Sequence, residues 1–212
     1  MAKRLIDLLG SGLGLLLLAP VLLLVALAIK LDSPGPVFFR QTRVGRGGVE
    51  FRIHKLRTMR QAVGVDEAGA AAQITVGDDP RITRVGALLR RTKLDELAQL
   101  IDVWRGCMSL VGPRPEVPRY VAMYPPALRA TLLGVRPGIT DPASLAFRHE
   151  SELLARAADP QREYLEVVMP AKLAISARYI GEASWLRDLQ CIAATVGTLW
   201  TRRSASPCGP LV

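Results

Sequence analysis

The sequence predicts an α+β protein: a mainly helical, membrane-associated domain with one small β-hairpin, behind an N-terminal kinked, re-entrant membrane helix. Three observations predict it. Leu8 to Ile29 carries no charge over 22 residues, about 33 Å as a helix and enough to reach through a bilayer core. Alternating residues on either side of Gly45-Arg46-Gly47-Gly48 read as two paired strands. From residue 83 onward the apolar residues recur at helical spacing.

In the apolar run, Pro20 follows Ala19 near the middle. Proline removes a backbone hydrogen bond and crowds the preceding turn, so Ala19-Pro20 is the expected break. Lys3 and Arg4 precede the run and Lys30 follows it, so flanking charge gives no direction across a bilayer. A helix that enters and leaves by one face accounts for both the break and the symmetric charge. Asp32-Ser33-Pro34 offers no small-x-small cleavage site, which disfavours a signal peptide. Gly10, Gly12 and Gly14 read as helix-packing positions.

Pro36 to Gln41 and Val49 to His54 are the expected strands, leading into Lys55-Leu56-Arg57-Thr58-Met59. Residues 61–80 are rich in Ala and Gly without a firm period and are expected to form a mobile loop or lid. Val85, Leu88 and Leu89 make a short apolar face, and Leu97, Leu100, Ile101 and Trp104 mark an amphipathic helix. Pro113, Pro115 and Pro118 predict an extended loop, Pro125-Pro126 an interruption in a helix from Tyr120 to Leu133, and Pro137 to Thr140 a turn. Residues 151–157, 161–180 and 185–200 read as three more helices. In the last, Leu189, Ile192, Val196 and Trp200 share a face expected to lie in the core rather than on lipid. The expected organisation is a membrane helix over 1–31, a main domain over 32–203 and a disordered tail over 204–212.

Lys and Arg number 28 against 19 Asp and Glu, a formal charge of +9. That balance suits anionic lipid, phosphorylated substrates or nucleic acid. Aromatic residues make up only 5%, which disfavours a base-stacking surface, so no nucleic acid is expected. Cys107, Cys191 and Cys208 contain no CxxC pair and fit free thiols in a reducing compartment. Neither His54 nor His149 has a cysteine at zinc-ligand spacing, which leaves a hard, oxygen-liganded metal open.

Against this basic background, Asp95-Glu96 stands behind Arg90, Arg91 and Lys93. With Thr92 as N-cap, the two acids could simply favour a helix dipole. They could also do chemistry: a carboxylate can attack phosphorus to give an acyl phosphate, and its neighbour can hold Mg²⁺ beside diphosphate oxygens. Pro113-Arg114-Pro115 would hold a guanidinium on a stiff backbone, suited to phosphate oxygens or to a surface ion pair. Lys55 and Arg57 share a strand face and could meet one anion or merely blunt a sheet edge.

These segments occur in the order apolar hairpin, Gly35-Pro36-Val37-Phe38-Phe39-Arg40-Gln41, Lys55-Leu56-Arg57-Thr58-Met59, Arg90-x-x-x-Leu94-Asp95-Glu96-Leu97, Met108-Ser109-Leu110-Val111-Gly112-Pro113-Arg114-Pro115 and Arg136-Pro137-Gly138-Ile139-Thr140. The chain resembles the bacterial sugar transferases, short monotopic phosphoglycosyl transferases, over residues 1–200. The resemblance implies a catalytic domain at the cytoplasmic face of the bacterial inner membrane. It implies transfer of a sugar 1-phosphate from a UDP-sugar to polyprenyl (undecaprenyl) phosphate with release of UMP, at the start of polysaccharide or glycoconjugate synthesis. Asp95 would be the nucleophile that carries the phosphosugar, and Glu96 would hold Mg²⁺. Lys55, Arg57, Arg90 and Arg114 would surround the phosphates, and Arg148 would contact the nucleotide sugar. The partners implied are UDP-sugar, polyprenyl phosphate and membrane lipid; a homodimer is left open. The chain departs from the family's common pattern at Ala19, at Cys107 and over Asp141-Pro142-Ala143-Ser144, the last bearing on sugar identity. The alternative is a non-catalytic basic module that binds anionic lipid or a partner protein.

Overall fold

A computed structural model describes residues 2–60 and 79–200. Helix α1 runs from Ala2 to Asp32 with Pro20 inside it. Most of its leucines are bare, among them Leu9, Leu16, Leu23 and Leu27. Its glycines abut side chains of the rest of the protein. A Cβ added at Gly10 would lie 2.7 Å from Leu110, and one at Gly12 would lie 2.6 Å from Trp104, so glycine is what lets α1 lie against these side chains.

Both ends of α1 are bonded to the same domain. At its start, Lys3 pairs with Asp188, and Arg4 donates to the carbonyls of Val103 and Trp104. Asp7, itself buried, accepts from the Ser109 hydroxyl and the Leu110 amide, each at 2.9 Å. At its end, Asp32 accepts from the Val85 amide at 2.9 Å. Ile29 joins Leu56, Leu89 and Ala98 in one apolar cluster, with Leu22 and Val25 packed on it.

Strands β1 (Phe38–Val44) and β2 (Glu50–Leu56) pair antiparallel, with Phe39 opposite Lys55 and Arg40 opposite His54. Gly47 and Gly48 have φ of 71° and 79°, a left-handed turn that glycine enters without steric cost. Helix α2 (Arg84–Thr92) follows, then a 3₁₀ segment (Leu94–Gln99) and α3 (Leu100–Arg105). β3 (Ser109–Val111) pairs parallel with β4 (Gly138–Thr140). The backbones meet so closely that a Cβ on Gly138 would fall 2.1 Å from the Gly112 nitrogen.

Short helices α4 (Pro118–Val121), α5 (Pro126–Leu133), α6 (Pro142–Ala146), α7 (Glu150–Ala155) and α8 (Pro160–Glu163) connect these layers. A π-helical turn over Tyr164–Val168 leads into α9 (Met169–Gly181), and α10 (Trp185–Trp200) ends the described chain. The main core gathers Val117, Tyr120, Leu132, Leu154, Val168 and Leu173 from α4, α5, α7, the π turn and α9.

The hairpin, the helix break at Pro125-Pro126 and the three C-terminal helices follow the sequence expectations. Three local readings are corrected. The segment from Ser109 and the turn at Pro137 are not only irregular, because their edges pair as β3 and β4. Thr92 does not cap the helix of the acidic pair; it ends α2, its hydroxyl donating back to the Leu88 and Leu89 carbonyls. Leu189 and Val196 of α10 are half exposed, and this helix instead buries Asp188 and Cys191. Residues 61–78 of the expected lid and the tail from 204 lie outside the described residues.

Candidate active site

The acidic pair is positioned by a break between two helices. Lys93 adopts φ 57°, closing α2 with its amide on the Arg90 and Leu89 carbonyls. The chain then re-enters a tighter 3₁₀ turn that carries Asp95 and Glu96. This turn packs along β2, from which Lys55 reaches across: its Nζ lies 3.0 Å from Asp95 Oδ2 and 3.5 Å from Glu96 Oε1.

Arg114 approaches from the far side, on the Pro113-Arg114-Pro115 loop that leaves β3. Its guanidinium donates to both Glu96 oxygens, Nη1 to Oε2 at 3.0 Å and Nη2 to Oε1 at 2.5 Å. Burial would lift the Glu96 carboxyl, but Arg114 and Lys55 outweigh it and hold the group well below the ordinary carboxylate range. The same pairing raises Arg114. Asp95 is 2% exposed, and its Oδ1 has no hydrogen-bond partner among the described residues. The result is two carboxylates and two cations in one cluster, with one carboxylate oxygen left over.

A second layer fixes this cluster. Asp102, on α3, accepts from the His54 backbone amide at 2.8 Å and binds His54 Nδ1 at 2.6 Å, all buried. His54 Nε2 lies 2.7 Å from Arg40 Nη1. Arginine can only donate, so Nε2 is the acceptor and Nδ1 carries the proton given to Asp102. This clamp ties β2 to the helix that continues from the acidic turn, and its next residue is Lys55. Beyond Arg114, Glu116 accepts from the Tyr164 hydroxyl at 2.8 Å and lies 3.5 Å from Arg43, while Lys172 pairs with Glu150 at 2.8 Å.

The structure brings together Lys55, Asp95, Glu96 and Arg114 of the residues singled out by sequence. Arg57 is a correction: it is buried and donates to the carbonyls of Ile29, Ser33 and Pro34, so it closes the end of α1 instead of meeting phosphate. Arg90 is half-buried on α2 with Nη1 3.5 Å from Met59 Sδ, and Arg148 is exposed with Nε 3.0 Å from His149. Neither makes a hydrogen bond or ion pair to Asp95 or Glu96. Asp141 is fully buried; it caps α6 through the Ser144 amide and accepts from Ser176, which makes it a structural brace. Sequence reasoning missed His54 and Asp102 as a pair, and Arg43, Glu116, Tyr164 and Lys172 around Arg114. Only a histidine in an alternating strand hinted at the first; the others look like ordinary surface charges.

Asp95 Oδ1 is a free buried oxygen donor beside a second carboxylate, which suits a hard cation that takes one or two carboxylates and completes its shell with water and phosphate. Among the described residues no three His, Cys, Asp or Glu side chains form a closed protein cage.

The sequence model of the bacterial sugar transferase family matches residues 1–202. The chain belongs to this family. It is 41% identical to the UDP-glucose:undecaprenyl-phosphate glucose-1-phosphate transferase of Caulobacter vibrioides, over 96% of this chain and 71% of that protein. It is 39% identical to an exopolysaccharide production protein of Rhizobium leguminosarum, over 94% of this chain and 96% of the relative. The Escherichia coli protein named UDP-glucose:undecaprenyl-phosphate glucose-1-phosphate transferase is also 39% identical, and there the aligned 92% of this sugar transferase spans only 39% of the relative.

Proposed function

We propose that this sugar transferase moves a sugar 1-phosphate from a UDP-sugar to polyprenyl phosphate, undecaprenyl phosphate in bacteria, and releases UMP. The observation that carries the reading is Asp95: one oxygen is held by Lys55 and the other, buried, has no partner among the described residues. A carboxylate oriented through Oδ2 presents Oδ1 as a nucleophile.

In this reaction Oδ1 attacks the phosphorus that bears the sugar. The bond from that phosphorus to the bridging oxygen breaks, and the bridging oxygen leaves with UMP. The acceptor phosphate oxygen then attacks the same phosphorus. The acyl-phosphate bond to Asp95 breaks, the carboxylate is restored, and the polyprenyl diphosphate sugar leaves. Lys55 and Arg114 lie over the carboxylates and have further N–H groups to donate; an arriving diphosphate accepts these, which neutralises the donor's charge while Lys55 keeps Oδ2 in place. Glu96 would hold Mg²⁺ beside Asp95, and the ion would supply charge stabilisation at phosphate oxygens and the leaving UMP.

The bare leucine side of α1 supports a membrane location, in this reading the inner membrane. A helix whose two ends bond one domain delivers both ends to one side of a bilayer, which supports the re-entrant reading with Pro20 as its weak point. The site faces the cytoplasm, where nucleotide sugars are made, and the products start polysaccharide or glycoconjugate assembly. UDP-glucose is the first donor to try, given the names of the relatives. The test uses purified protein in detergent with Mg²⁺, undecaprenyl phosphate and UDP-sugars, assayed for nucleotide. UMP that disappears in Asp95→Asn is the expected result. UDP as the product, or undiminished UMP from Asp95→Asn, refutes the covalent reading.

A further inference from the structure

A cavity of about 300 Å³, with apolar walls and charged side chains among its lining, lies beside the first turn of α1. None of Lys55, Asp95, Glu96 and Arg114 lines it. Three segments distant in sequence bring cations to it: Lys3 and Arg4 from the first turn of α1, Arg46 from the β1–β2 turn, and Arg136 from the approach to β4. Its floor is β3 and the end of α9. The volume is that of about ten water molecules, enough for a phosphate with a few attached carbons.

The charge in this cavity is not balanced. Among the described residues Asp7 is the one carboxylate in its lining, and Lys3 is paired with Asp188 outside it. Four cations thus meet two anions, leaving two positive charges. Arg4 is anchored on the Val103 and Trp104 carbonyls, and Arg136 Nε on the Gly106 carbonyl at 2.9 Å. Bonds to carbonyls orient a guanidinium without neutralising it, and they leave further N–H groups to donate. Arg46 is exposed and makes no ion pair among the described residues.

Position decides what anion this is. The cavity lies at the start of α1, within one turn of Leu5 and Leu9, whose exposed side chains mark where the apolar layer begins. With α1 in a bilayer, its first turn sits at headgroup depth, where the abundant anions are lipid phosphates.

The geometry points to a binding site for the phosphate of a lipid headgroup, formed by Arg4, Arg46 and Arg136 and separate from the acidic pair. The same phosphate chemistry is offered by an anionic membrane phospholipid and by a polyprenyl phosphate waiting to react. The site rests on the membrane placement of α1 and is independent of the roles proposed for Asp95 and Glu96.

The experiment uses the full chain in neutral detergent and follows Tm while titrating short-chain phosphatidylglycerol, farnesyl phosphate or inorganic phosphate. The comparison is with Arg46→Gln, whose exposed side chain leaves the unliganded Tm unchanged, and with Arg46→Gln/Arg136→Gln. Saturable stabilisation by phosphatidylglycerol or farnesyl phosphate, weakened about tenfold or more in the double variant, is expected. Loss for phosphatidylglycerol alone identifies a phospholipid site, and loss for farnesyl phosphate an acceptor site. Equal binding by wild type and both variants overturns the proposal. So does inorganic phosphate binding as tightly as either lipid, since that makes the site one for free anion. Asp95→Asn should bind these lipids like wild type, so a failed catalytic reading and a failed lipid site give different results.

Discussion

Replacing Asp102 by alanine tests whether the acidic turn and the lysine facing it are held in register by a buried clamp. Asp102 accepts two hydrogen bonds from His54, at 2.8 Å and 2.6 Å. Truncation leaves the backbone N–H and the ring N–H of His54 without acceptors. Each such orphan costs about 1–3 kcal/mol, so the loss is about 2–6 kcal/mol. For a domain of this size, at about 3 °C per kcal/mol, Tm falls by about 6–18 °C. Lys55, the next residue on β2, loses its registration against Asp95, and turnover falls about tenfold to a hundredfold, as for misplacements of about 1 Å. The assay is thermal unfolding in detergent alongside UMP release. A paired variant, His54→Leu/Asp102→Leu, removes the ring donor with its acceptor; the backbone N–H stays orphaned, and the half-buried Arg40 Nη1 loses the ring nitrogen it donated to. It should recover part of the Tm loss of Asp102→Ala, less than half of it, while remaining slow. A Tm drop under about 3 °C with normal turnover in Asp102→Ala would refute the clamp.

Arg57→Met should act on stability and not on substrate: three carbonyls at the end of α1 lose their donor, Tm falls by roughly 3 kcal/mol-equivalent or more, and the KM for UDP-sugar is unchanged. A raised KM with unchanged Tm would return Arg57 to the phosphate site. The Glu96 carboxyl is depressed in the folded state, so its contribution is complete above its unfolded value of about 4.3 and is lost as pH falls through the lower folded value. The Tm advantage of wild type over Glu96→Gln should therefore be constant from about pH 8 to pH 5 and shrink below about pH 4. An advantage that changes between pH 6 and pH 8 would contradict this assignment.

How far the sequence reached depended on whether a signal was local. Apolar run, hairpin and helices are written in nearest-neighbour patterns: 22 uncharged residues, alternation around Gly47-Gly48 and a 3.6-residue period. Asp95, Glu96 and Arg114 were conspicuous because acids crowded by cations and an arginine between prolines are unusual anywhere. Lys55 and Arg57 looked equivalent, two residues apart on one strand. Only the tertiary structure separates them: β2 ends between the acidic turn and the end of α1, so Lys55 reaches Asp95 while Arg57 is enclosed by carbonyls. The same holds for His54 with Asp102 and for β3 with β4, where contact depends on packing across 48 and about 30 residues of chain. The sequence alone determined which elements form and which residues carry unusual chemistry, because backbone propensity and side-chain type are local. The structure decided which charges meet, because a Coulombic or hydrogen-bonded partner is chosen by distance in space, and residues far apart in the chain leave no periodic trace of it.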